Sequence, residues 1–162
     1  MVVRRSGGTR RGGPVMRVIA GAALVAALFL LWTTTAVADD DVVGRTTLDG
    51  VFTEEQAEGA RSTYARECAV CHGNNLGGTA NAPALRGFAF EFFWNGRTLA
   101  EMVTYTQSTM PLTSPGSLTQ SNVVNLVALI LLENGFEAGD EALPADLEVL
   151  ESITFVEPED EE

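Results

Sequence analysis

Wherever the apolar residues of this 162-residue chain follow a rhythm, the rhythm is helical. Thr53-Glu54-Glu55-Gln56 has the T-x-x-Q form of a capping box, whose side chains satisfy the unpaired N–H groups at a helix start. Beyond it Ala57, Ala60, Tyr64 and Cys68 recur at steps of three and four, while Glu54, Glu55, Glu58, Arg61 and Arg66 take the other faces. The stripe predicts a helix that runs straight into Cys68-Ala69-Val70-Cys71-His72. Thr98-Leu99-Ala100-Glu101 is a second capping box, and Leu99, Met102, Val103 and Thr106 carry its helix to about Ser108. Met110-Pro111 stops it, because proline forces the residue before it out of the helical region. A third helix, Gln120 to Glu133 behind a Thr119 cap, is apolar nearly all round and is therefore buried on most sides. Asn134-Gly135 closes it.

The stretches between are punctuated by glycine and proline. Residues 73–97 hold five glycines and Pro83, and read as loop with a short helical turn around Phe90 to Trp94. Residues 39–50 read as a flexible lead-in. After Gly135 come Leu143-Pro144 and a short amphipathic turn with Leu147, Leu150 and Ile153. No alternating strand, hairpin signal or internal repeat is present. The expectation is an all-α fold of three to five helices: a domain over 51–135, an extension over 136–156 packing on it, and an acidic disordered tail over 157–162.

The first 38 residues stand apart. Arg4, Arg5, Arg10, Arg11 and Arg17 precede an uncharged run from Val18 to Ala38 that ends in Ala36-Val37-Ala38. A positive leader, an apolar stretch and a small-x-small site make a secretory signal peptide, with cleavage expected after Ala38. Left uncut, the run of 21 residues is long enough to span a bilayer. The expected location is the periplasm or the outer face of the cytoplasmic membrane.

Taking off the leader changes the charge. Five arginines and 22 acidic residues remain, a net charge of −17. Phosphate repulsion excludes nucleic acid as a partner and disfavours anionic lipid. A partner with a basic docking patch fits instead, with the membrane involved only if the leader is retained.

Both cysteines and the one histidine of the chain lie within five consecutive residues. Two thiols spaced C-x-x-C can each add to one vinyl group of a haem, and the next residue, a histidine, then faces the iron. A zinc site needs four ligands, and no second cluster exists to complete one. A dithiol redox motif needs a strand–helix–strand context that is absent. Cys68 and Cys71 are therefore the expected covalent anchors of one haem c, and His72 an axial iron ligand. The opposite axial position has few candidates, since the chain has no second histidine and no lysine. Met1 and Met16 lie in the leader, which leaves Met102 and Met110. Met102 falls on the apolar stripe of its helix, a core position, whereas Met110 follows the helix end and is held extended by Pro111. Met110 is the expected ligand. A thioether opposite imidazole favours ferrous iron and closes the site to oxygen.

From Val51 to Gly135 the chain resembles a class I cytochrome c. Gly59 and Tyr64 precede Cys68-Ala69-Val70-Cys71-His72-Gly73, then come Ala82-Pro83-Ala84-Leu85, Thr109-Met110-Pro111, and an apolar helix ending in Asn134-Gly135. The resemblance implies that the first and last helices cross, with Gly59 permitting close approach. It also implies that the Pro83 carbonyl accepts the Nδ1 proton of His72, that Leu85 packs on the haem, and that Trp94 and Arg97 reach the propionates. Asn134-Gly135-Phe136-Glu137-Ala138-Gly139 and Leu143-Pro144-Ala145-Asp146 are similar to cytochromes associated with quinone-cofactor alcohol dehydrogenases. The surface departs from mitochondrial relatives in lacking lysine. The implied function is electron transfer, not catalysis, by a soluble carrier or the cytochrome subunit of an exported oxidoreductase. A quinone-cofactor dehydrogenase or a terminal oxidase is the implied partner. The alternative is a haem enzyme or gas sensor with a labile sixth ligand.

Overall fold

The computed structural model of the protein describes residues 44–158. The leader, residues 39–43 and the last four residues of the acidic tail lie outside that range. The first predicted helix is made in three consecutive pieces, α1 (Glu54–Gly59), α2 (Arg61–Glu67) and α3 (Ala69–His72). At the joints the chain bends without leaving helical dihedrals: Ala60 has φ −81 and ψ −14, Cys68 φ −119 and ψ −38. The Ala60 N–H is shared between the Ala57 and Glu58 carbonyls, and the Cys68 N–H keeps Tyr64 O as its acceptor. The helices that follow are α4 (Phe88–Trp94), α5 (Leu99–Thr109), α6 (Gln120–Glu133) and α7 (Leu147–Glu151).

The hydroxyls picked out in the sequence do cap these helices. Thr53, Thr98 and Thr119 are extended, and each accepts from the backbone N–H three residues on. At α5 the box is complete, since Glu101 Oε2 also accepts from Thr98 N. Each such cap contributes about 1 kcal/mol against alanine. α5 ends at Thr109, and Met110 turns extended ahead of a buried Pro111.

α6 is the centre of the domain, with Val123, Val124 and every residue from Leu126 to Leu131 buried. α1, α2 and α5 pack on it, and α7 packs on α5. The α1–α6 crossing rests on the buried Ala57 and Ala60. Gly59 does not make it: the residue is exposed, and a Cβ there would meet nothing within 4 Å. Close approach occurs elsewhere, where a Cβ on Gly139 would collide with the Gly50 carbonyl oxygen.

One further expectation is revised. Residues 45–49, read as lead-in, form strand β1 (Arg45–Thr46) and a 3-10 turn from Thr47 to Asp49. β1 pairs in parallel with β2 (Ile153–Thr154), and Thr47 is buried with its hydroxyl donating to Val156 O at 2.9 Å. Two-residue strands are too short to show alternation, so no sequence pattern announces them. The 136–156 segment packs on the domain through buried Phe136, Leu143, Leu150, Ile153 and Phe155. No described helix is long and apolar enough to cross a membrane.

Candidate functional site

One helical turn brings the three chemical residues together. Cys68 sits at the joint between α2 and α3, and its carbonyl accepts from Cys71 N at 3.1 Å and His72 N at 2.9 Å. Both thiols are unbridged and half-buried, and His72 is 8% exposed. His72 Nδ1 lies 2.8 Å from Pro83 O. A carbonyl can only accept, so Nδ1 carries the proton and Nε2 is left with the lone pair a metal needs. That bond also fixes the plane of the ring.

The Pro83 carbonyl is aimed by a loop folded tightly back on α3. Gly78 N donates to His72 O at 2.8 Å, Thr79 Oγ1 to Cys71 O at 2.6 Å, and Thr79 N to Ala82 O at 2.9 Å. Gly78 has φ +76, and a Cβ there would stand 2.6 Å from Ala84 N, so only glycine allows the two strands of the loop to close. Tyr64, buried on α2, donates its hydroxyl proton to Gly73 O at 2.7 Å. Leu76 holds the unusual φ of 59 for a branched residue, at a cost of about 1–2 kcal/mol, and is almost fully buried.

The far end of the loop is held by Asn134 at the C-cap of α6. Its Oδ1 accepts from Gly87 N at 2.9 Å, and its Nδ2 donates to Leu85 O at 3.0 Å and Ile130 O at 2.7 Å. Leu85 also donates its N–H to Leu76 O at 2.8 Å. The Pro83–Leu85 segment is thus tied to α3 on one side and to the central helix on the other. The sequence announced Asn134 only as a helix stop. The Gly77-Gly78 pair ahead of Ala82-Pro83 was the one available signal for the loop closure.

The Cys68 thiol is poorly suited to dithiol redox work. Burial, then the charges of Glu67 and Cys71, push the Cys68 thiol up to about 11, whereas redox-active cysteines depend on a lowered value. Among the described residues no group of three or more His, Cys, Asp or Glu could hold a metal ion. Two thiols and one imidazole with its lone pair on Nε2, on a single turn, fit a covalently bound haem.

The other expected site residues are placed as follows. Met102 is buried on the core stripe of α5, and Met110 is half-buried at the helix end. Leu85 is half-buried against the core. Trp94 is buried, with ring contacts to Phe90, Phe93 and Tyr105. The Arg97 guanidinium lies 4.5 Å over the Phe93 ring. Trp94 and Arg97 line an open groove with α5 and α7, and Cys68, Cys71, His72 and Met110 are not among its lining residues.

Residues 55–130 match the family model described as cytochrome C oxidase, cbb3-type, subunit III. The match spans a little under half of the chain and indicates a c-type cytochrome domain over those residues. No curated protein and no solved structure matches the chain. That domain implies a covalently bound haem c with its iron and supports haem-based electron transfer. The match begins one residue after the start of α1 and ends three short of the end of α6. The C-terminal extension, with its buried Phe136 and Phe155, lies beyond it.

Proposed function

We propose that this protein is an exported single-electron carrier whose iron is held between His72 and Met110 and anchored through Cys68 and Cys71. The observation that carries the reading is the His72–Pro83 bond, which presets the imidazole tautomer an iron ligand requires. When bound, the haem supplies the one-electron ferric–ferrous couple. His72 contributes Nε2, and the loop through Gly78 and Pro83 keeps the ring from turning. Met110 follows the α5 end in an extended conformation, φ −120 and ψ 153, whereas Met102 is committed to the core. A thioether at Met110 would supply the second iron ligand and would exclude oxygen or peroxide, which separates a carrier from a haem enzyme.

The export leader and the small-x-small site at Ala36 to Ala38 support work outside the cytoplasm. The net charge of −17 beyond the leader supports a redox partner with a basic docking patch. The matching family model is named for a subunit of a terminal oxidase, which supports an oxidase as partner alongside a quinone-cofactor dehydrogenase. The test is the visible spectrum of the ferric protein. The iron–thioether band is expected in the parent and in Met102→Ala, and absent from Met110→Ala. A band that survives in Met110→Ala overturns the ligand assignment.

A further inference from the structure

We propose that the C-terminal strand β2 is a brace for α5, and that through this helix it positions Met110 as an iron ligand. The proposal rests on the Met110 reading above and adds the element that holds that residue in place. β2 lies beyond residue 130, where the family match ends, yet it is bonded along both edges. On one edge it pairs with β1, and Thr47 extends the pairing. The Thr47 hydroxyl donates to Val156 O at 2.9 Å and accepts from Val156 N at 3.0 Å. On the other edge Gly96 N donates to Phe155 O at 2.8 Å and Phe155 N donates to Arg97 O at 2.7 Å. Thr154 completes this edge in an antiparallel bridge with Thr98. The Phe155 ring is fully buried, edge-on to Phe90 and Phe136 with centroids 6.1 and 5.2 Å away.

Thr98 is the N-cap of α5, so β2 grips this helix at its root. The Thr98 hydroxyl accepts from Glu101 N at 3.2 Å and gives its own proton to Glu151 Oε2 of α7 at 3.1 Å. The buried residues of α5, Leu99, Ala100, Met102 and Val103, all lie in its first half. Met110 is the cap at the other end of the eleven residues, about 16 Å along a stiff rod. Near that end Ser108 and Thr109 turn their hydroxyls back to the Thr104 and Tyr105 carbonyls of the same helix. A rod held at its root moves most at its tip when the root is freed. Met110 competes with any added ligand for the iron. The apparent affinity of that competitor scales with the fraction of molecules in which Met110 has left. Loosening β2 raises this fraction while leaving α5, Cys68, Cys71, His72 and Met110 unaltered in sequence. An extension that only adds buried area lowers global stability and has no selective effect on Met110.

The test uses the full haem-loaded ferric chain with imidazole as the competing ligand, followed by loss of the iron–thioether band. Thr47→Val keeps the shape of the buried side chain but removes the hydroxyl that secures Val156. The Gly96 and Phe155 amides are expected to exchange faster, and imidazole to bind at least about threefold more tightly than to the parent. Thr47→Ser, which keeps a hydroxyl, is expected to return both readings towards the parent. Thr53→Ala, which removes the cap of α1 instead, is expected to lower stability without that gain in affinity. If Thr47→Val yields no haem-loaded protein, Phe155→Leu is measured by the same criteria. Parental exchange at Gly96 and Phe155, or a smaller gain in affinity, overturns the brace. So does an equal gain in Thr53→Ala, which assigns the effect to global stability. A parent without the iron–thioether band refutes Met110 as ligand and the brace with it. A parent with the band, and variants that bind imidazole as it does, refute the brace alone.

Discussion

Replacing Asn134 by Ala tests how far the central helix holds the ligand loop. The side chain makes three hydrogen bonds, but their losses are unequal. Ile130 O also accepts from the Asn134 backbone N–H at 3.1 Å, so it stays paired in the variant. Gly87 N and Leu85 O lose the side-chain partner at 2.9 and 3.0 Å. An unpaired polar group in a part-buried setting costs about 1–3 kcal/mol, with solvent recovering some of it at the exposed Gly87. Stability should therefore fall by about 2–4 kcal/mol. The assay is guanidinium unfolding of the haem-loaded protein, followed by far-ultraviolet circular dichroism and by the Soret band. The midpoint should drop at unchanged m, and the Leu85 and Gly87 amides should exchange faster. A loss below about 0.5 kcal/mol would falsify the claim that Asn134 braces the loop.

Other outcomes follow from the same structure. Met102→Ala should cost about 2–5 kcal/mol, because Met102 is 1% exposed in the core, yet leave the iron–thioether band untouched. Gly78→Ala forces a Cβ to 2.6 Å from Ala84 N at φ +76, so loop closure fails and the yield of haem-loaded protein should fall sharply when measured by pyridine haemochrome. Burial of Tyr64, helped by the Glu133 charge, pushes its phenol from 10 up to about 12. The unfolded chain therefore loses that proton first. The stabilisation is complete below pH 10 and is lost as pH rises towards 12, and Tyr64→Phe should remove that slope from the stability–pH curve. Association with a basic partner should slow steeply between 10 and 200 mM salt, on the order of tenfold or more, by stopped-flow reduction; a rate indifferent to salt contradicts electrostatic steering.

The helices were legible because local and long-range signals agreed. Thr98 and Glu101 form the box their spacing promised, and the apolar residues from Val123 to Leu131 are buried as their composition required. The grouping of Cys68, Cys71 and His72 on one turn was legible because the motif is local. The Pro83 contact was expected only through the family resemblance, since no periodicity links residues 72 and 83. Gly59 misled, because a glycine in a helix suggests close packing, yet this one faces solvent. Gly50, Gly78 and Gly139 carry the tight contacts, in loops where many glycines look alike. The Asn134 bridge spans nearly fifty residues, and β1 finds its partner over a hundred residues away. Pairings at that range leave no mark on a local pattern.

The most direct test is the intact mass of the protein purified from cells able to mature cytochromes, taken with its visible spectrum. The account predicts one haem per chain that resists acid–acetone extraction, lost in Cys68→Ala/Cys71→Ala, with low-spin ferrous bands. A colourless chain whose mass equals that of the polypeptide alone contradicts it.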